Sequence, residues 1–171
     1  MPRWPTGPFT LHRTGCYRCV RNTPADGSCG IGTHPCMHPG DDLFAASTQV
    51  YAPDSGVVVA TGDGRSAPWV GYNPGIIEIR GDSGKYLLMA HLDFDTITVK
   101  VGDRVVEGQP IARFNADVAH CHFEVRHKPY GPWETNTMDP AVWVAGGGSF
   151  WRNLALAAFV GWGAYKLARS R

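Results

Sequence analysis

Glycine and proline cut this chain into short pieces, and that punctuation restricts its fold more than any other feature. There are 21 glycines and 13 prolines in 171 residues. Between them lie brief apolar or β-branched runs: GVVVA (56–60), GIIEIR (75–80) and KYLLMAHL (85–92). Runs of that kind, bounded by Gly, Asp and Pro, read as strands. TITVK (96–100) alternates, and VGDRVVEGQPIARF (101–114) carries two turn signals, Gly102-Asp103 and Glu107-Gly108, around short strands. CHFEVR (121–126) is the last clear strand, and no long stretch of helical periodicity precedes residue 150. The expected fold is mainly β, built on an antiparallel sheet.

The rest of the chain divides around that region. Residues 1–37 read as an irregular, cysteine-rich segment, and residues 38–145 as the β domain. GGG opens a glycine-rich linker at 146–149, and 150–171 reads as an apolar helix. A net charge of +1 gives no broad field for nucleic acid, so no nucleic-acid partner is expected. The opening MPRWPTGPFT has no apolar core, so no conventional secretion signal is expected. Four of the five cysteines, Cys16, Cys19, Cys29 and Cys36, fall close together. They suit two disulfides, one structural zinc knot or incidental free thiols. Spacing favours disulfides, because the second Cys-x-x-Cys of a zinc ribbon is missing. In the final segment the uninterrupted apolar stretch, Leu154 to Tyr165, is short for a full membrane span. Trp151, Trp162 and Tyr165 suit headgroup depth, and Arg152 and Lys166 could snorkel. The segment is a candidate membrane anchor, or else a helix packed on its own domain or a partner.

The chemistry sits on histidines. AHCHFEV (119–125) holds two imidazoles two residues apart inside an apolar run. In an extended strand His120, His122 and Glu124 share one face, while Cys121, Phe123 and Val125 share the other. HPGDD places His38 and Asp42 four apart, and Pro39-Gly40 makes a turn entering a strand the natural setting. His91 ends the run YLLMAHL. Two histidines and one carboxylate make a three-ligand zinc set that leaves a coordination position for water, the pattern of a catalytic site. A lone His-x-x-x-Asp is usually a pair of solvated side chains, and a lone His91 a core histidine. Their occurrence together in one domain is what points to a metal.

That order of motifs resembles the lysostaphin/LytM-like zinc metallopeptidases, which cut the peptide cross-links of bacterial cell walls. The family's His-x-x-x-Asp matches HPGDD, its middle histidine matches MAHLD, and its closing His-Leu-His-Phe-Glu matches HCHFE. The likeness covers residues 38 to about 143, through VGDRVVEGQPIARF and the closing MDPAVW. It implies an antiparallel β peptidase domain with zinc as cofactor and the stem or bridge peptides of peptidoglycan as partners. Position by position, it gives His38, Asp42 and His122 to the metal, and sets His91 and His120 beside the open position.

No His-Glu-x-x-His is present to supply a glutamate base, so a histidine must move the proton. His120 is assigned as base, and His91 to orienting water and steadying the oxyanion. Glu124 is expected to orient a ligand histidine. The chain departs from the family at Met89 (often Tyr), at Cys121 (Leu) and at NADVA (115–119), where a glycine-rich loop is usual. The expected setting is the bacterial envelope or a phage virion, with 150–171 contacting membrane or particle. The alternative in a different class is a non-catalytic structural or wall-binding protein that keeps the fold.

Overall fold

The computed structural model describes residues 3–11, 20–21, 36–66, 68–69, 71–129 and 136–146. Among the described residues twelve strands run in chain order: β1 (Phe9–Leu11), β2 (Val20–Arg21), β3 (Cys36–Met37), β4 (Asp41–Ala45), β5 (Gln49–Tyr51), β6 (Gly56–Gly62), β7 (Ile76–Gly81), β8 (Tyr86–Ala90), β9 (Arg104–Val105), β10 (Pro110–Arg113), β11 (Cys121–Arg126) and β12 (Thr137–Met138). A short helix, α1 (Pro140–Ala145), follows. The main sheet has the spatial order β1-β4-β11-β8-β7-β6-β9, with β12 pairing beside β11. Every pairing in it is antiparallel. β5 and β10 form a separate ribbon, as do β2 and β3.

Strand β11 is central, and its alternation builds the two sides of the sheet. Cys121, Phe123 and Val125 join Leu43, Val58, Ile77, Ile79, Leu87 and Met89 in one buried core. Val50, Ile111 and Ala112 of the β5–β10 ribbon close that core from outside, and Trp143 of α1 closes one end. The opposite side of β8 and β7 carries only a small apolar cluster, Ile76, Leu88 and Ala90, packed under Trp69 and Tyr72. This second side holds the polar residues described below.

The expected mainly β antiparallel fold is the one observed. TITVK is not a strand: Phe94–Thr96 is a turn of 3₁₀ helix. Thr98 is tied instead by its N–H and hydroxyl to the Ile111 carbonyl. The closing MDPAVW is the start of α1. Asp139 caps it by accepting from the Ala141 N–H at 2.8 Å, with Pro140 in the first turn. Residues 3–11 join the domain: β1 pairs with β4, and the Trp4 ring packs edge-on against Phe123 with centroids 6.0 Å apart. Cys16, Cys19 and Cys29, the side chain of Cys36, and the apolar segment 150–171 lie outside the described residues. Among the described residues no helix is long and apolar enough to cross a membrane.

Candidate active site

The register of β4 against β11 assembles the first part of the site. His122 pairs directly with Asp42, so their side chains emerge side by side on the same face. HPGDD makes the expected turn into a strand, and Gly40 allows it to lie tight on β11. A Cβ at Gly40 would run into the Phe123 carbonyl oxygen and sit 2.8 Å from Glu124 Cγ. That close approach brings His38 back over the strand.

Three donors converge there. His122 Nδ1 is 2.8 Å from Asp42 Oδ1, and His38 Nε2 is 3.2 Å from the same oxygen. One ligand atom from each of His38, Asp42 and His122 lies within 4.8 Å of the others, and all three residues are buried. Two imidazoles and one carboxylate, gathered and desolvated, fit zinc by donor type and number. His122 Nε2, the nitrogen pointing away, donates to Glu124 Oε1 at 2.8 Å. In the neutral ring that a metal requires, that bond keeps the proton on Nε2 and leaves Nδ1 to face Asp42 and His38.

The electrostatics follow from burial set against pairing. Burial resists ionisation of Asp42, but hydrogen bonds from His122 and His38 outweigh it and hold the carboxyl well below the usual range. Burial likewise disfavours a charged His122, yet hydrogen bonds to Asp42 and Glu124 push its pKa up to about 9. For Glu124, burial is overcome by the hydrogen bond from His122 and the nearby charges, and its pKa falls to about 2.

The other two histidines border this cluster. His120, one residue before β11, puts Nε2 3.5 Å from Asp42 Oδ1, and its Nδ1–H donates to the Val118 carbonyl at 2.9 Å. His91 gives its Nδ1–H to the Asn73 carbonyl at 2.7 Å. A carbonyl can only accept, so each ring donates through Nδ1–H, and in its neutral form has Nε2 as the acceptor. His91 is also fixed through its backbone, whose N–H meets the Tyr72 carbonyl and whose own carbonyl accepts from Asn115 N–H. Burial, reinforced by the charge on His122, lowers the His91 pKa to about 4, so its ring is neutral at pH 7. Both His91 (φ 59°) and Ala119 (φ 64°) adopt the left-handed backbone region. Such strain in non-glycine residues collects at functional sites.

All six residues singled out for metal or catalysis, His38, Asp42, His91, His120, His122 and Glu124, thus meet in one place. Three further participants were not anticipated. The Tyr72 hydroxyl donates to Glu124 Oε1 at 2.7 Å, and Arg126 Nε donates to Glu124 Oε2 at 2.7 Å. Glu78, on β7, faces Arg126 with Oε1 3.7 Å from Nη1. Arg126 could have been found by extending the alternation of 120, 122 and 124 by one step. Tyr72 and Glu78 depend on long-range contacts.

A family model described as peptidase family M23 matches residues 36–140. Among solved structures, lysostaphin in solution is 25% identical with a TM-score of 0.59, over 81% of this chain and 51% of that one. The catalytic domain of the antimicrobial peptidase lysostaphin from Staphylococcus simulans is 29% identical, TM-score 0.53, over 67% of this chain and 84% of that one. A zinc-containing peptidase from Vibrio cholerae is 27% identical, TM-score 0.52, over 72% and 36% respectively. The chain therefore spans about half the length of lysostaphin. No curated protein sequence matches it.

Proposed function

The chain belongs to peptidase family M23, and from that premise we propose that it is a zinc-dependent endopeptidase hydrolysing the peptide cross-links of bacterial peptidoglycan. The observation that carries this reading is the gathering of the His38, Asp42 and His122 donor atoms within 4.8 Å of one another, with His91 and His120 at their edge. His38, Asp42 and His122 would hold the metal. When bound, zinc supplies Lewis-acid polarisation of a peptide carbonyl and makes an attacking water more acidic.

Proton handling falls to the two remaining histidines. His120, anchored through Nδ1–H on Val118, offers Nε2 to the water that attacks the carbonyl carbon. It takes that proton and returns it to the nitrogen of the leaving amine. His91, neutral and anchored on Asn73, accepts a hydrogen bond from the same water and orients it. Only after gaining a proton can its Nε2 donate to the developing oxyanion, so orientation is its first role.

Digestion of purified sacculi of known chemistry, with mass spectrometry of the products, tests the proposal. New amino termini within stem or bridge peptides are expected, and they should vanish with a zinc chelator or in His120→Ala. Metal-loaded protein that binds sacculi but releases no new amino terminus would favour the non-catalytic wall-binding alternative.

A further inference from the structure

Behind the metal-ligand cluster runs a buried polar chain that the proposed chemistry does not use. Alternation along β11 sets His122, Glu124 and Arg126 on one face. The cross-strand row Glu124–Leu88–Glu78 adds a second carboxyl from β7 to that face. Glu124 is 0%, Glu78 1% and Arg126 4% exposed, so water cannot orient these groups. Arg126 Nε holds Glu124 Oε2 at 2.7 Å, while Glu124 Oε1 accepts from both Tyr72 and His122. The guanidinium is itself fixed: it lies 5.4 Å from the Trp69 ring centroid, and Nη2 reaches the Tyr72 hydroxyl at 3.4 Å.

We propose that Arg126 is a positioning residue for the metal centre: by pinning Glu124 Oε2 it aims Oε1 at His122 Nε2–H, and so holds the His122 ring with Nδ1 turned to the metal. The inference rests on the zinc reading above. Glu124 can rotate about its terminal torsion, which is soft. With Oε2 released, the carboxylate loses its buried charged anchor, and the single neutral bond from Tyr72 to Oε1 is left to hold it against rotation off the imidazole. Partners of this outer kind typically change metal affinity 10–100-fold when removed. Arg126 suits the task because its planar fork presents Nε to Glu124 and Nη2 to Tyr72 in fixed relative positions, where an ammonium is a compact charge on a flexible stem.

The test measures zinc affinity of the full chain by competition with a chromophoric chelator, using Glu124→Gln, Arg126→Met, Arg126→Lys and the Glu124→Gln/Arg126→Met double variant. Thermal melting of the metal-free proteins reports folding separately. Each of E124Q and R126M should weaken zinc by about 10–100-fold, and the double variant should be no weaker than the worse single one. R126K, keeping charge without the fork, should also bind more weakly than the parent. If R126M does not fold, R126K replaces it in the cycle. Zinc binding by a folded Arg126 variant within about threefold of the parent overturns the inference, as do losses that multiply in the double variant. A parent that binds no zinc overturns the metal reading itself.

Discussion

The rings of His91 and His120 stand edge to face, their centroids 4.9 Å apart at 77°. His91 follows β8 and His120 precedes β11, far apart in sequence, yet each is anchored by Nδ1–H on a backbone carbonyl, which in a neutral ring leaves Nε2 as the acceptor. Neither belongs to the buried His38, Asp42, His122 trio. His120→Ala and His91→Ala should therefore retain zinc while turnover falls by about 10²–10⁴-fold. Parallel metal analysis and muropeptide assays check this. Loss of zinc in His120→Ala would show that the roles are wrongly divided.

Ala119 takes φ 64° just before His120, a region that costs an L side chain roughly 1–2 kcal/mol and glycine almost nothing. Glycine also adds entropy to the unfolded chain, so the two effects nearly offset. Ala119→Gly should leave stability unchanged or raise it by up to about 1 kcal/mol, as read by denaturant unfolding. A loss of that size instead would mean that Ala119 is not left-handed in solution.

Glu78 gives the protein a pH dependence of definite sign. Burial, reinforced by Glu124 and opposed by Arg126, raises its pKa from 4.5 to about 7. Between those values the folded state holds a proton that the unfolded state has released, so stability falls as pH rises through the window. Glu78→Gln removes this dependence. Its stability relative to the metal-free parent should improve by on the order of 2 kcal/mol between pH 4.5 and pH 8. Urea midpoints at both pH values measure it, and an unchanged difference would contradict the shift.

Much of the site was legible because strand arithmetic is strict. Alternation alone set His120, His122 and Glu124 against Cys121, Phe123 and Val125, and β11 obeys it. The turn at Pro39-Gly40 was legible for the same local reason. What stayed hidden depends on partners distant in sequence. Tyr72 reaches Glu124 across 52 residues, and Glu78 meets Arg126 only through the β7–β8–β11 register. TITVK alternates like a strand, but Thr98 bonds to Ile111 from an irregular segment, so pattern gave way to tertiary contact. The glycine-free NADVA showed a missing residue type. It did not show that Ala119 would adopt the glycine conformation in its place.

The N-terminal stretch has a structural task as well. β1 covers the edge of β4, the strand that carries Asp42, and Trp4 packs on the fully buried Phe123. Trp4→Ala should destabilise the domain by about 1–3 kcal/mol, since the aromatic is only partly buried. A melting shift in both metal-free and zinc-loaded protein checks it, and an unchanged midpoint would detach Trp4 from the core.

The most direct measurement is zinc stoichiometry and affinity by calorimetric titration of metal-free parent and His122→Ala, each shown to be folded. The side-by-side register of His122 and Asp42, with Nδ1 2.8 Å from Oδ1, predicts one high-affinity zinc per chain in the parent and none in the variant. Folded His122→Ala that still takes one zinc per chain at parental affinity would contradict the account.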